Sequence, residues 1–244
     1  MPSSCFAERL GEFVPLSEAE RTALSRLEER ERILRRGATL VRENDPAAEL
    51  FILKRGMMMS FVILDDGSRQ ILRFLFPGDL FALSSLAYSR VPETVAALSE
   101  TVVSPFERPL IARLAIEQPR LFTAIMALDQ AERVMLTDRL AGLGRTTAKA
   151  RVASVLLEVR NRLRRLDPTL GDSFIPGLTQ EEIGDATGLT AVHVNRMLRQ
   201  LEEEQLIARD SGRVTFLDEG RLARAANYVD RLAAFDLTWL PTAN

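Results

Sequence analysis

The chain has one cysteine and one histidine in 244 residues, and this scarcity removes several kinds of chemistry at the outset. A lone thiol, Cys5, forms no internal disulfide and supplies no cysteine-rich zinc or iron–sulfur site. A lone imidazole, His193, cannot build a multi-histidine metal centre, and His–Cys or Ser–His catalysis has little to work with. A glycine-rich phosphate loop is also missing. The chain is therefore not expected to be an enzyme, and no metal or cofactor is expected. Long apolar runs are absent too; none approaches the ~18 residues of a membrane span. The opening MPSSCFAERLGEFVPLSEAE lacks a basic stretch followed by an apolar core, so a cytoplasmic protein with no membrane partner is expected. Neither sign of charge dominates: 32 Lys and Arg against 34 Asp and Glu give a net charge of −2. That weighs against a chain coated with nucleic acid but leaves room for a local basic site.

What is present describes an ordinary globular chain, 46% hydrophobic and 27% charged, long enough for one large or two ordinary domains. VPLSEAERTALSRLEER reads as a short leading helix, with Ser17 and Glu20 in capping-box spacing ahead of Leu24 and Leu27. From about residue 31 to 110 short β-rich runs alternate with turn signals. RGATLVREND precedes Pro46, ELFILKRG ends at Gly56, Asp66-Gly67 marks a hairpin and Pro77-Gly78 a turn, and TVAALSETVVSPFE supplies two more runs. This pattern predicts a compact β-barrel or roll. The run Met57-Met58-Met59 invites a soft-metal reading, but adjacent strand residues alternate faces, so strand packing is the expectation.

After Pro109 the texture becomes helical. LIARLAIEQP is a short helix closed by Pro119. The stretch from Leu121 to Leu143 has no Pro, and no Gly before Gly142; as a helix it would be on the order of 30 Å long. Leu121, Ile125, Leu128, Met135 and Leu143 recur near heptad spacing, with Phe122, Met126, Leu136 and Leu140 beside them and a polar gap around Glu132. A helix with so wide an apolar stripe needs more than one neighbour. It is expected to cover the β-domain on one side and to pair with a second copy through the heptad residues; the alternative is a helix packed only on its own β-domain. GLGRTT is expected to break the helix, with Gly142 and Gly144 as a hinge and Thr146 or Thr147 capping the next helix, AKARVASVLLEVRNRLRRL. DPTLGDSFIPG then reads as a loop with a short extended piece.

The segment LTQEEIGDATGLTAVHVNRMLRQLEEEQLI parses as helix, turn, helix. Thr179 and Glu182 form a capping box, Ile183 and Ala186 face inward, Gly188 supplies a permissive turn and Thr190 caps the second helix. Val194, Met197, Leu198 and Leu201 fall on one side of that helix; Val192, Asn195, Arg196 and Arg199 fall on the other, with His193 at the edge. The second face carries hydrogen-bonding groups, two positive charges and no acid before Glu202, as a major-groove reader requires. Arg can pair with guanine O6 and N7, Asn with adenine N6 and N7, and an exposed Val with a thymine methyl. Thr179, Gln180 and Thr190 stand at helix starts, where hydroxyls and N–H groups can hold phosphates. LIARDSGRVTF adds two short strands around Ser211-Gly212, a wing that places Arg213 near a phosphate. The acidic run Glu202 to Glu204 reads as a solvent face.

In the order β-roll, long helix, hinge and winged helix-turn-helix, the chain resembles the Crp/Fnr superfamily of bacterial transcription regulators, from about residue 15 to 220. The likeness is strongest over the helix-turn-helix and visible at FPGDLF and ARVASVLLEV. It implies an α+β fold, a homodimer joined along the long helix, two recognition helices on near-palindromic double-stranded DNA, and contact with RNA polymerase. Cyclic-nucleotide-binding members carry a Gly-Glu pair after the GD turn and, later, an Arg before Ser or Thr that holds the phosphate. Here Ala82 and Leu83 replace the pair, and Glu93 precedes Thr94. A carboxylate repels a phosphate, so cyclic AMP is not expected to be the effector, with Arg90 as the one candidate substitute. The family's iron–sulfur sensors need several cysteines and its haem sensors a histidine in the β-domain; this chain has neither. Many members also carry a Glu two residues after the second cap, where this chain has Val192, while Arg196 matches their shared arginine. The expected layout is a sensor-like domain over 1–118, a dimerisation helix and hinge over 119–144, the DNA-binding domain over 145–225 and a tail over 226–244. Two other readings stand beside a nucleotide-independent regulator: one gated by a nucleotide in an altered pocket, and a winged-helix protein-interaction module that binds no DNA.

Overall fold

The computed structural model describes residues 4–243, which divide into two compact units. The first takes in the chain up to Phe61, Phe74–Val134 and the chain from Ala234 onward. It opens with two helices, α1 (Cys5–Gly11) and α2 (Glu18–Leu27). Eight strands follow in chain order, with residues 62–73, the end of β4 and most of β5, grouped in the second unit: β1 (Arg32–Leu34), β2 (Thr39–Val41), β3 (Glu49–Arg55), β4 (Met58–Ile63), β5 (Arg69–Leu75), β6 (Leu80–Phe81), β7 (Thr94–Ala97) and β8 (Thr101–Glu107). They form two four-stranded sheets, ordered β1-β8-β3-β6 and β2-β7-β4-β5. Inward residues of both sheets share one core of Leu34, Phe51, Leu53, Met58, Leu75, Phe81, Ala82, Val95, Ala97 and Val103. This is the expected β-roll. Met57, just ahead of β4, and Met58 and Met59 within it are all buried.

The sequence reading missed α1. Its Phe6 and Leu10 are fully buried, and its start is held from a distance. The buried Glu28 carboxylate accepts the Ser4 hydroxyl (2.6 Å) and the Phe6 N–H (3.0 Å). The capping box of α2 is present as expected, with the Ser17 hydroxyl accepting from Glu20 and the Glu20 carboxylate from Ser17.

α3 (Arg108–Glu117) leads to α4 (Pro119–Arg145), a helix of 27 residues that begins with Pro at its first position, where the missing N–H costs nothing. The boundary between the units falls within α4, after Val134. The helix does not break at Gly142. It runs through Gly142 and Gly144 to Arg145, and both the Thr146 N–H (3.0 Å) and its hydroxyl (2.8 Å) donate to the Gly142 carbonyl. An interior Gly costs a helix only about 1 kcal/mol, and this closure at Thr146 sets the end. Thr147 is the cap of the next helix, α5 (Ala148–Leu166), accepting from the Ala150 N–H.

The second unit comprises residues 62–73 and 135–233. After α5 come β9 (Ser173–Phe174), α6 (Gln180–Thr187), α7 (Ala191–Glu203), β10 (Ile207–Asp210), β11 (Arg213–Phe216) and α8 (Glu219–Ala226). The strands form one antiparallel sheet ordered β10-β11-β9. Arg160 of α5 is fully buried here, paired with Asp172 and Glu219 (each 2.9 Å) and lying over the Phe216 ring. No helix among the described residues is long and apolar enough to cross a membrane.

Candidate nucleic-acid interface

Local sequence builds α6 and α7 almost unaided. The Thr179 hydroxyl accepts from the Glu182 N–H (3.1 Å) and the Glu182 carboxylate accepts from the Thr179 N–H (2.6 Å), so both exposed ends of the first turn are satisfied. Gly188 ends α6 with φ of 66°, a left-handed conformation that a glycine adopts without strain. The turn needs a second glycine that the sequence reading overlooked. The Gly184 carbonyl accepts from the Leu189 N–H (3.0 Å), and a Cβ on Gly184 would sit 2.4 Å from the Leu189 oxygen. The signal was visible: Gly184 and Gly188 stand four residues apart in IGDATGL.

The Thr190 hydroxyl then caps α7 by accepting from the His193 N–H (3.3 Å) and lies 3.4 Å from His193 Nδ1. Val194 and Leu201 are fully buried, and Met197 and Leu198 nearly so. This apolar stripe anchors the helix. The opposite side holds Val192 at 81% exposure, with His193, Arg196 and Arg199 exposed and Asn195 half-buried. Among the described residues, the side chains of Arg196 and Arg199 make no hydrogen bond or ion pair. Arg160 and Arg209 of the same unit are engaged in ion pairs. Arg196 and Arg199 thus place two guanidinium groups without hydrogen bond or ion pair on one helix face, opposite the buried stripe.

Thr179, Gln180 and Thr190 are exposed at the helix starts, as expected. Arg213 is exposed on β11, where its guanidinium donates to the hydroxyl and carbonyl of Ser173 (each 3.2 Å), a contact that fixes its direction along the wing. The acidic run at the end of α7 is not a solvent face alone. Glu202 accepts from Arg209 of β10 (2.6 Å), which holds its carboxyl below the ordinary glutamate range, and Glu204 pairs with Lys149 of α5. One carboxylate thus ties the wing to α7 and another ties α7 to α5. A further tie was missed: Arg151 of α5 donates to the carbonyls of Thr187 (2.9 Å), at the end of α6, and Thr146 (3.0 Å), at the end of α4.

The long helix corrects part of the expected pairing surface. Leu121, Ile125 and Leu128 are 0%, 1% and 7% exposed, so they are consumed within their own unit and are not open to a partner. Met135 and Leu143 are half-buried. At about 100° per residue, the more open stripe is the neighbouring one, which carries the half-buried Phe122 and Met126, the exposed Leu136 and Leu140, and Leu143 seven residues beyond Leu136. Leu140 is 71% exposed. The two stripes lie side by side on one helix, and sequence periodicity does not say which of them is covered from within.

Comparison with known proteins agrees with this architecture. Residues 31–118 match the cyclic nucleotide-binding domain and residues 150–225 the Crp-like helix-turn-helix domain. The nitrogen fixation regulation protein FixK of Bradyrhizobium diazoefficiens is 30% identical over 190 residues, 78% of this chain and 79% of its own length. The transcriptional activator protein anr of Pseudomonas aeruginosa is 29% identical over 213 residues, 86% of each chain. The solved structure of FixK2 from Bradyrhizobium japonicum superposes with a TM-score of 0.72 at 26% identity, covering 82% of this chain and 98% of that one. The chain belongs to the Crp/Fnr family of transcription regulators. It is a DNA-binding regulator with a helix-turn-helix reader, not an enzyme.

Proposed function

We propose that α7 lies in the major groove and reads bases through Val192, Asn195, Arg196 and Arg199, with His193 at the margin, while Thr179, Gln180, Thr190 and Arg213 hold phosphates. The observation that carries this is the pair of exposed guanidinium groups, neither in a hydrogen bond nor an ion pair, on the face opposite the buried Val194, Met197, Leu198 and Leu201. In water such a face gains nothing; against guanine edges each Arg can make a bidentate pair. Thr190 caps the helix through its oxygen, and its hydroxyl lies beside His193 Nδ1 at the exposed start of the helix. Two copies pair through the open stripe of α4, so that two readers address a near-palindromic site, and the assembled regulator meets RNA polymerase in the cytoplasm.

The β-roll works without cyclic AMP. Ala82 holds the left-handed turn (φ of 63°) where the nucleotide-binding members place glycine, but it lies in the apolar core, and Leu83 follows it in place of the ribose-binding Glu. The Arg90 guanidinium donates to the Asn44 carbonyl (2.7 Å) at the surface, so the one substitute cation has a partner already. Phe51 and Phe81 stack with centroids 5.4 Å apart in the roll core. Selection of bound fragments from random duplex DNA tests the reading. The expected result is a two-fold-related site with guanine preferences; recovery of no preferred sequence at low salt would sink it.

A further inference from the structure

Two residues, Thr146 and Thr147, separate α4 from α5. They are the joint about which the reader turns against the end of the long helix, because α5 packs on α6, α7 and α8 and moves with them. Val152, Ala153, Leu156 and Val159 of α5 are buried, and Lys149 pairs with Glu204 at the cap of α7. Much of the joint is held by its own threonines. The Thr146 N–H and hydroxyl both donate to the Gly142 carbonyl, which fixes that residue on the last turn of α4. The Thr147 hydroxyl accepts from the Ala150 N–H (3.2 Å), in the extended conformation of a helix cap. The peptide plane between the two threonines is held by Arg151. Its Nη1 donates to the Thr146 carbonyl (3.0 Å) and its Nε to the Thr187 carbonyl (2.9 Å), where α6 ends at the turn of the helix-turn-helix. Both carbonyls stand at helix ends, where the helix itself supplies no partner and the dipole favours a cation. One guanidinium thus bridges the joint and the turn.

We infer that Arg151 is a positioning residue for DNA recognition: by fastening the Thr146–Thr147 joint to the reader's turn, it sets the angle between α7 and the end of α4, and with it the half-site spacing that a dimer accepts. The inference rests on the proposed reading, in which α7 enters the groove and two copies pair through α4, and adds the part that fixes the two readers relative to each other. Arg151 lies on α5 and its acceptors are backbone carbonyls, so its removal leaves the reading face of α7 as it is and frees the joint. One base pair added between half-sites turns one of them by about 34° and moves it by about 3.4 Å. A fastened joint rejects that change; a free joint follows it. Lysine cannot stand in, because its donors sit on one nitrogen and lack the planar fork that aims at two carbonyls.

The test uses full-length Arg151→Met, which keeps an apolar stem and removes the donors, and Arg151→Lys. Fragments are selected from random duplex DNA with the parent chain and with each variant. Affinities are then compared for the parent's site and for versions with one base pair added or removed between the half-sites. The parent should select one spacing and bind the altered sites about tenfold or more weakly. Both variants should recover the same half-site bases at several spacings, with the preference for the parent spacing reduced to about threefold or less. Arg151→Lys, which keeps stem and charge, carries the comparison if Arg151→Met does not fold. An Arg needed only for folding would lower the thermal midpoint and weaken every site in proportion, leaving the spacing preference intact; that result overturns the inference, as does a parent-like preference in Arg151→Lys. If the parent chain reads bases but accepts all spacings equally, the inference falls and the groove reading stands. If the parent chain selects no sequence at all, both fall.

Discussion

Arg196 and Arg213 are both exposed cations, yet they should behave differently when removed. Arg196 faces outward from the middle of the reading helix, so Arg196→Ala is expected to cost about 1–3 kcal/mol of operator affinity and to relax base preference at one position of each half-site. Arg213 sits on the wing strand beside Ser173. Arg213→Ala should weaken all sequences about equally and reduce the salt dependence of log K by about 1. Equilibrium binding to the selected site and to a scrambled duplex, over a range of salt, separates the two. Gly184 tests the turn rather than the surface. A methyl group there meets the Leu189 oxygen at 2.4 Å, and backbone cannot yield as a side chain tip can. Gly184→Ala is expected to destabilise the second unit by about 1–3 kcal/mol, read as a drop in thermal midpoint. Each of these groups stood in a short window of sequence. Caps, turn glycines and helix faces depend on neighbours within a few residues, and this made the reader legible. The ties from Glu202, Glu204 and Arg151 were not, since their partners lie seven, 55 and 36 residues away.

At the level of elements, α4 and the wing carry the clearest expectations. The two stripes of α4 should separate by mutation. Ile125→Ala removes a fully enclosed side chain and is expected to cost about 2–5 kcal/mol of folding stability. Leu140→Asp, at an exposed position, should leave the fold in place and abolish association, as sedimentation would report. An equal effect of both changes on folding would place Leu140 in the protomer's core instead. Heptad counting found both stripes, but Leu121, Ile125 and Leu128, expected to face a partner, are buried within their own unit, because periodicity marks where apolar groups lie and not what covers them. α1 escaped notice for a related reason: the carboxylate that holds its start is 24 residues further along the chain. For the wing, the link between Glu202 and Arg209 predicts a pH response. Because the hydrogen bond lowers the folded-state pKa of Glu202, its contribution is complete above the ordinary glutamate value of about 4.3 and fades as pH falls through the lower, folded value. Amide exchange in β10 should accelerate over that acid range in the native chain and show no such step in Glu202→Gln.

For the whole molecule, the first unit keeps the roll of its family, with Leu83 and Glu93 where the resemblance to nucleotide-binding members calls for Glu and Arg. Titration calorimetry with cyclic AMP should give no binding heat at concentrations that saturate nucleotide-dependent regulators, and operator affinity should be unchanged by it; tight binding would restore the gated alternative. The overall plan was readable in sequence because turn pairs and caps fall at regular intervals through it. The closing stretch of the chain was not. Phe235 packs edge-on against Phe13 with ring centroids 4.9 Å apart, Leu237 and Leu240 are buried, and Arg120 donates to the Pro241 carbonyl. These residues finish the first unit although they follow the reader in the chain. A protease that nicks the backbone between Ala226 and Ala234 should therefore not free the terminal peptide: the two pieces would migrate together under native conditions and part only in denaturant. Any shortened version that stops where the helix-turn-helix domain ends would strip aromatic and leucine side chains from the opposite end of the polypeptide.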